Sequence, residues 1–199
     1  MKIDKGNIIL EKSLELFFNH GIQHITMDDI AEKCYISKKT IYKYFDNKND
    51  LLHQIIKLQV KELQDIIRAN KQKKINALEE LVLFFKYINN LSHTIFPAFG
   101  KELKKYHPAI FLETYKYKNT IILPFVIENI EKGKNEGLYK KNINAEEICD
   151  SFDNISKIIF SDGFLLDTNK ASIEFLNSLF LHRLVSVKGF EILKKQSDN

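Results

Sequence analysis

The sequence predicts an all-α protein of about nine helices. Gly and Pro number only 7 and 3 among 199 residues, which disfavours β architectures with many turns. Apolar side chains also recur every three or four residues through most of the chain, as they do on one face of a helix. We expect a domain of three helices over residues 1–50, a connecting helix with a basic joint over 51–74, and a larger helical domain over 75–199.

The first two helices are indicated by their end signals. An apolar stripe predicts a helix over about residues 8–18, and Gly21 follows as its C-terminal breaker. Thr26 is a good N-cap for a short second helix, because Asp29 stands three residues later and completes a capping box. This second helix should end near Cys34.

The third helix follows after a turn of only two residues and begins at its N-cap, Ser37. Ile41 and Phe45 lie four residues apart and should face the core. The side chains left outside are Lys38, Lys39, Tyr42 and Lys43. Lysine at a helix start opposes the helix dipole at about 0.3–1 kcal/mol each when exposed. Either this cost is trivial and the face is only solvated surface, or a strongly negative partner approaches it.

Asn47 predicts the start of a fourth helix, which leads into a basic stretch. Residues 68–74 are polar, strongly basic and almost free of apolar side chains, so we interpret them as a joint between domains. A solvated end of helix four is compatible with the same composition.

The second half of the chain predicts five more helices, over about residues 76–91, 99–106, 108–135, 145–160 and 171–189. Pro108 suits a first turn, whereas Pro124 should kink or break the helix that contains it. The last helix carries apolar side chains on two sides, so it needs two surfaces to pack on. Its own domain is one, and a second copy of the chain is the simplest candidate for the other.

Several other classes of protein are disfavoured. The two cysteines match no metal-ligand spacing, and Gly21 would break a helix that placed His20 and His24 on one face. The chain contains neither H-E-x-x-H, G-x-S-x-G nor a glycine-rich phosphate loop, so we expect no enzyme and no cofactor. No apolar run is long enough for a membrane span and no signal peptide is recognisable, which predicts a cytoplasmic protein.

Two short helices joined by a tight turn, the second opening with basic and hydroxyl groups, fit a DNA-binding helix-turn-helix. A helix fits the major groove of B-DNA, and its first side chains reach the base edges. Counterion release from DNA outweighs the small dipole cost of Lys38 and Lys39. The net charge of +4 alone names no partner.

The segment GIQHITMDDIAEKCYISKKTIYKYFDNKNDLL, residues 21–52, resembles the DNA-binding domain of the TetR family of transcriptional regulators. The residues that match the family pattern are Gly21, Thr26, Ile30, Ala31, Ile36, Ser37, Thr40, Ile41, Tyr42, Tyr44, Phe45, Lys48 and Leu51. The resemblance implies a homodimer that binds double-stranded, palindromic operator DNA, most commonly as a repressor, and that is released by a small-molecule effector. Residues 1–50 would then be the helix-turn-helix DNA-binding domain, and residues 75–199 the effector-binding and dimerisation domain.

The resemblance also assigns roles in DNA binding. Phosphate contacts would come from Thr26, Thr40, Tyr42, Tyr44 and Lys48, with Ser37 adding a hydroxyl at a helix start. Lys38, Lys39 and Lys43 would face bases. Because this helix carries no arginine, we predict shallow base discrimination and a large salt dependence.

The turn departs from the family pattern. Cys34-Tyr35 stands where Ala-Gly is usual, and tyrosine is strained at the positive φ that glycine accepts. Either the turn has a different geometry or the ring of Tyr35 is held, for example against the DNA backbone.

Effector and dimer contacts are predicted from the second domain. A mostly apolar or aromatic effector would contact aromatic side chains and one amide, and its binding would shift helix four through helix six. The candidates are Phe84, Tyr87, Phe99, Tyr106, Phe111, Tyr115 and Asn119. The candidates for the dimer interface are Phe152, Ile155, Ile159, Phe175 and Leu179. Two alternatives remain open: a helical carrier of an apolar molecule that never meets DNA, and a DNA-binding regulator without an effector.

Overall fold

The computed structural model of the protein describes residues 4–95, 98–160 and 170–197. In these ranges the chain is all-α, as predicted, with eleven α-helices and one π-helical turn. The α-helices are α1 Lys5–His20, α2 Met27–Lys33, α3 Lys38–Ile41, α4 Lys48–Gln72, α5 Ala77–Ile95, α6 Ala98–Tyr106, α7 Pro108–Tyr117, α8 Leu123–Asn135, α9 Ala145–Phe160, α10 Lys170–Leu184 and α11 Val187–Ser197; the π-helical turn is Lys118–Ile122.

Three of the early helices begin at the predicted caps. The side chains of Thr26, Ser37 and Asn47 each accept a hydrogen bond from the backbone N–H three residues later, at 3.2, 3.1 and 3.0 Å. The N–H of Thr26 also donates to the carboxylate of Asp29 at 2.7 Å, which completes the capping box. A helix start depends on contacts between residues that are close in sequence. For this reason the starts could be predicted from the sequence.

The third helix ends before Phe45, although the sequence placed Ile41 and Phe45 together on it. It ends at Ile41, and the chain continues through tight turns to Phe45, whose N–H donates to the carbonyl of Ile41 at 3.1 Å. Ile41 and Phe45 are both buried, so the predicted inward face is correct even though the regular helix covers only four residues.

Helix α4 connects two hydrophobic cores. Leu51 and Ile55, near its start, belong to the first core, whereas Leu63 belongs to the second. The helix continues through most of the basic stretch, to Gln72, and Asn70 within that stretch is buried. Residues 68–72 are therefore the last turns of a long helix.

The first core is not made by the N-terminal helices alone. Phe99 and Leu103 of α6, together with Ile110 of α7, pack among the buried side chains of α1, α2 and α4. The backbone N–H of Gln23 donates to the carboxylate of Glu102 at 3.0 Å. Helix α6 is therefore part of the support for the N-terminal helices.

The second core contains a buried polar network between α5 and α8. Asn129 donates from Nδ2 to Glu80 Oε2 at 2.9 Å, and the hydroxyl of Tyr139 donates to Asn129 Oδ1 at 2.9 Å. Burial, with the negative charge of Glu80, raises the pKa of Tyr139. A Cβ at Gly133 would lie 2.1 Å from the Tyr139 ring, so only glycine allows this close approach.

The long helix predicted over residues 108–135 is interrupted. Because Pro124 has no N–H, the carbonyl four residues earlier loses its α-helical partner. The chain widens into the π-helical turn just before it, where the N–H of Leu123 donates to the carbonyl of Lys118. The interruption expected at Pro124 is thus present, and it separates α7 from α8.

The single helix predicted over residues 171–189 is wrong. The chain leaves α10 at Leu184, forms an isolated bridge between Val185 and Tyr139, and starts α11 at Val187. The N–H of Ser186 donates to the carbonyl of Leu138 at 2.8 Å. These partners are almost fifty residues away in sequence, and the local apolar spacing gives no sign of them.

A candidate nucleic-acid interface

One side of the segment that includes α3 and the following turn is exposed, polar and cationic. The predicted DNA-contacting side chains of Lys39, Lys43, Tyr42 and Tyr44 are all exposed, and Ser37 at the start of the helix is exposed too. The opposite side contributes Ile41 to the first core. The segment therefore presents two exposed amines and two phenols together on a support that is fixed by its buried side.

Lys38 has a partner within the protein. Its Nζ lies 2.8 Å from Oδ2 of Asp28 on α2, and this hydrogen bond raises the pKa of Lys38. Both side chains are more than half exposed, so the pair contributes little to folding stability. Asp28 neutralises one of the cations that the sequence assigned to base contact.

The hydroxyl groups near this face are used in local caps. Ser37 Oγ and Thr40 Oγ1 lie 2.8 Å apart, and Thr40 is half-buried. Thr26 donates from Oγ1 to Asp29 Oδ2 at 2.7 Å. Hydrogen bonds from Thr26, first from its backbone N–H, lower the pKa of Asp29 and keep it ionised beside the helix start.

The side chain of Lys48 is less exposed than the sequence suggested. It is half-buried, with Nζ 5.9 Å from the centre of the Phe17 ring. Burial lowers its pKa, and the nearby carboxylates of Glu102 and Asp29 partly oppose this effect. A phosphate contact by Lys48 would therefore require the amine to extend away from Phe17.

Tyr35 occupies the turn between α2 and α3 with φ of 55°, in the left-handed region. Of the two alternatives left open by the sequence, a turn of different geometry is therefore wrong, because Tyr35 has the positive φ that glycine usually supplies there. The ring is 97% exposed, so no packing within the protein holds it.

The predicted effector residues are distributed over both cores. Phe84 is buried in the second core and Phe99 in the first, whereas Tyr106 and Asn119 are exposed. Phe111 and Tyr115 form an edge-to-face pair with ring centres 5.3 Å apart. Tyr87 donates its hydroxyl to the carbonyl of Gln59 at 3.4 Å, and burial raises its pKa to about 12.

A small cleft of about 200 Å³ lies elsewhere, between the start of α9 and the end of α10. Its lining includes Lys140, Asn144 and Arg183 and none of the predicted effector residues.

Of the five residues predicted for the dimer interface, the structure describes the side chain of Leu179. Leu179 on α10 is half exposed, while the side chains of Phe152, Ile155, Ile159 and Phe175 lie outside the part that the structure describes. Val187 and Phe190 on α11 are exposed apolar side chains that the sequence did not single out. The predicted last helix ended at residue 189, so it placed Val187 in its last turn and left Phe190 beyond its end.

The described ranges contain no group of three or more His, Cys, Asp or Glu side chains placed to hold a metal ion. None of their helices is both long and apolar enough to cross a bilayer.

Comparison with known proteins places this interface in a family. Residues 9–55 match the model of bacterial regulatory proteins of the tetR family. The chain is 30% identical over 135 residues to the uncharacterized HTH-type transcriptional regulator YhgD of Bacillus subtilis, a match that covers 66% of this chain and 64% of that protein. It is 32% identical over 81 residues to IcaR of Staphylococcus aureus, the HTH-type negative transcriptional regulator of the biofilm operon icaADBC, covering 40% of this chain and 44% of IcaR.

The fold agrees beyond the matched sequence. A TetR-family transcriptional regulator from Marinobacter aquaeolei VT8 superposes with a TM-score of 0.76 at 17% identity, covering 98% of each chain. At 17% identity, this similarity is evidence for the fold alone. The match over residues 9–55, together with the sequence identity to two HTH-type regulators, shows that the chain carries the helix-turn-helix domain of the tetR family of bacterial regulatory proteins.

Proposed function

We propose that the protein is a transcriptional regulator that binds operator DNA through the exposed face of α3 and its following turn. The observation that carries this proposal is the grouping of Lys39, Lys43, Tyr42 and Tyr44 on the solvent side of a segment whose other side is buried. Exposed lysines release counterions from DNA, and phenol hydroxyls can donate to phosphate oxygens.

The combined variant Lys38→Ala, Lys39→Ala and Tyr42→Ala tests this proposal. We expect it to fold normally, since all three side chains are exposed, and to lose most of its affinity for DNA. The slope of log affinity against log salt should fall by up to about 0.9 for each lysine that contacts a phosphate. Fluorescence anisotropy with a labelled duplex at several salt concentrations measures both quantities.

Lys141→Ala is the matched control, because it removes an exposed lysine from the turn between α8 and α9. It should leave affinity and salt slope unchanged. Full DNA binding by the triple variant would overturn the assignment of the DNA contacts to α3 and its following turn. A parent protein that binds no duplex even at low salt would favour a helical carrier that does not use DNA.

We propose further that the regulator works as a homodimer on a palindromic operator. The exposed apolar side chains of Leu179, Val187 and Phe190 on the last two helices support a contact with a second copy. Analytical ultracentrifugation should give twice the chain mass, and Leu179→Asp should lower the association constant. A purified protein that remains a single subunit at micromolar concentration would contradict the dimer.

The proposed regulation is repression relieved by a small, mostly apolar effector. IcaR is named a negative regulator, which favours repression. Helices α6 and α7 contribute to the first core and follow α5 of the second, so movement in the larger domain has a direct route to the N-terminal helices. The effector would act through its different affinity for the two arrangements.

Operator affinity with and without each candidate compound tests the regulation. A compound that leaves the affinity unchanged is not the effector. A regulator that responds to no ligand of any class, while binding its operator tightly, would favour the alternative of ligand-independent control.

A further inference from the structure

Tyr35 combines two unfavourable features at one position. Among the described residues, Tyr35 and Lys74 are the non-glycine residues with positive φ, at 55° and 51°. A bulky side chain is disfavoured in this left-handed region because its Cβ crowds the backbone. The aromatic ring of Tyr35 is in addition 97% exposed to solvent.

Contacts within the protein do not explain why a tyrosine stands there. Two backbone hydrogen bonds close this turn, from the N–H of Tyr35 to the carbonyl of Glu32 at 2.9 Å and from the N–H of Ile36 to the carbonyl of Ala31 at 3.0 Å. Glycine at position 35 would allow both equally well. The ring is too exposed to add to the first core. Strain that the fold does not require points to a role outside the folded chain.

The position of the turn indicates what the ring meets. Tyr35 stands two residues before Ser37, the cap of α3, and three residues before the exposed Lys38. In a helix-turn-helix the start of the second helix enters the major groove, so the preceding turn lies at the edge of that groove. The edge is formed by deoxyribose and phosphate groups.

We propose that Tyr35 is a DNA-contact residue whose ring packs against the sugar–phosphate backbone at the edge of the major groove. This inference rests on the proposed function. The left-handed conformation directs the ring away from the core, and burial of its apolar face against deoxyribose occurs only in the complex. Because the contact is to the backbone, it adds affinity without base preference.

Tyr35→Gly and Lys74→Gly form a matched pair, since each relieves one left-handed residue. Neither variant should melt below the parent protein, and relief of strain should raise Tm by up to about 4 °C. Tyr35→Gly should bind a mixed-sequence duplex of about 30 base pairs roughly three- to tenfold more weakly. The salt slope should stay constant because no charge is removed. Lys74→Gly should bind this duplex as the parent does.

Tyr35→Phe separates the ring from its hydroxyl. It should bind DNA within about twofold of the parent, because the contact is made by the ring face. A loss as large as that of Tyr35→Gly would overturn the ring contact in favour of a hydroxyl–phosphate hydrogen bond.

A direct measurement is the iodination rate of Tyr35, followed by mass spectrometry. The exposed ring should react quickly in the free protein and slowly with duplex present, and protection should vanish at high salt. An unchanged rate in the complex would overturn the inference.

The two proposals can fail separately. If the parent protein binds no duplex even at low salt, the proposed function fails and this inference fails with it. If the parent binds and Tyr35→Gly binds equally well, only the inference about Tyr35 is wrong.

Discussion

The ion pair between Lys38 and Asp28 shows how one acidic residue can limit a cationic surface. The carboxylate lies 2.8 Å from the amine, and both side chains are exposed. An approaching phosphate must compete with Asp28 for Lys38, and it also meets the negative charge of Asp28 itself. The sequence suggested a free lysine because the two residues are ten positions apart and on different helices.

Asp28→Asn should therefore strengthen DNA binding, by roughly two- to tenfold at physiological salt, because it removes a repulsive charge and frees Lys38. Folding stability should change by less than about 1 kcal/mol, since an exposed ion pair contributes little. Anisotropy with the labelled duplex measures the first effect and thermal melting the second.

Glu15→Gln is the control with the same change in net charge. Glu15 pairs with Lys33 at 3.1 Å, on α1 rather than next to α3. If Glu15→Gln raised the affinity as much as Asp28→Asn, the effect would come from total charge, and the specific role of the Asp28–Lys38 pair would be wrong.

At the scale of elements, Ser186 decides where α10 ends and α11 begins. Its Oγ accepts from the N–H of Gly189 at 3.2 Å and donates to the carbonyl of Gly137 at 2.7 Å. A Cβ on Gly189 would lie 2.1 Å from the carbonyl oxygen of Leu138, so α11 starts in close contact with the turn after α8. The break exposes Val187 on a separate helix.

Ser186→Ala should destabilise the protein by about 1 kcal/mol, because α11 loses its cap and the Gly137 carbonyl loses a donor. That corresponds to a fall in Tm of roughly 2–4 °C for a chain of this size. Differential scanning calorimetry gives the value.

Ser151→Ala is the matched control for Ser186→Ala. Ser151 lies within α9 and its Oγ donates to the carbonyl of Glu147 at 2.8 Å, a local bond that adds little to a helix. Equal losses from the two variants would contradict a special role for the Ser186 cap.

At the scale of the whole molecule, His107, between α6 and α7, contacts residues of the N-terminal part of the chain. Its Nδ1 lies 2.7 Å from Oδ1 of Asn49 on α4, and its Nε2 lies 3.4 Å from Nε2 of Gln23. A neutral ring with its proton on Nδ1 satisfies both contacts. Burial, with the nearby charge of Lys48, lowers the pKa of His107, while Glu102 acts in the opposite direction.

The stability of the protein should therefore fall in mild acid. With the folded-state pKa of His107 below the unfolded value of 6.5, the unfolded chain binds the proton more readily. The contribution of His107 is constant above that value and is lost progressively as the pH falls below it. Urea unfolding at pH values of about 7.5 and 5.5 should show the decrease.

His107→Gln should reduce this pH dependence, because the variant has no group that titrates at that contact. The exposed His24 provides the control variant His24→Gln, which should keep the parent slope. A parent slope retained in His107→Gln would show that other groups cause the acid sensitivity.

The sequence determined the features that depend on near neighbours. The caps at Thr26, Ser37 and Asn47 were predicted because each bonds a backbone group only three residues away. The buried side of α3 followed from the four-residue spacing of Ile41 and Phe45. The exposed, polar side of α3 and its following turn was predicted from the same helical spacing. The resemblance to the TetR family also lies in this helix-turn-helix segment.

The tertiary structure determined the contacts between residues that are far apart in the sequence. The packing of α6 on the first core, the pairing of Asp28 with Lys38 and the partial burial of Lys48 all depend on how helices meet. The break at Ser186 likewise depends on the carbonyl of Leu138, far away in sequence. The spacing of apolar residues determines which side of a helix is buried. Which other helices it packs against, and where it ends, depend on the packing and backbone hydrogen bonds of the complete chain.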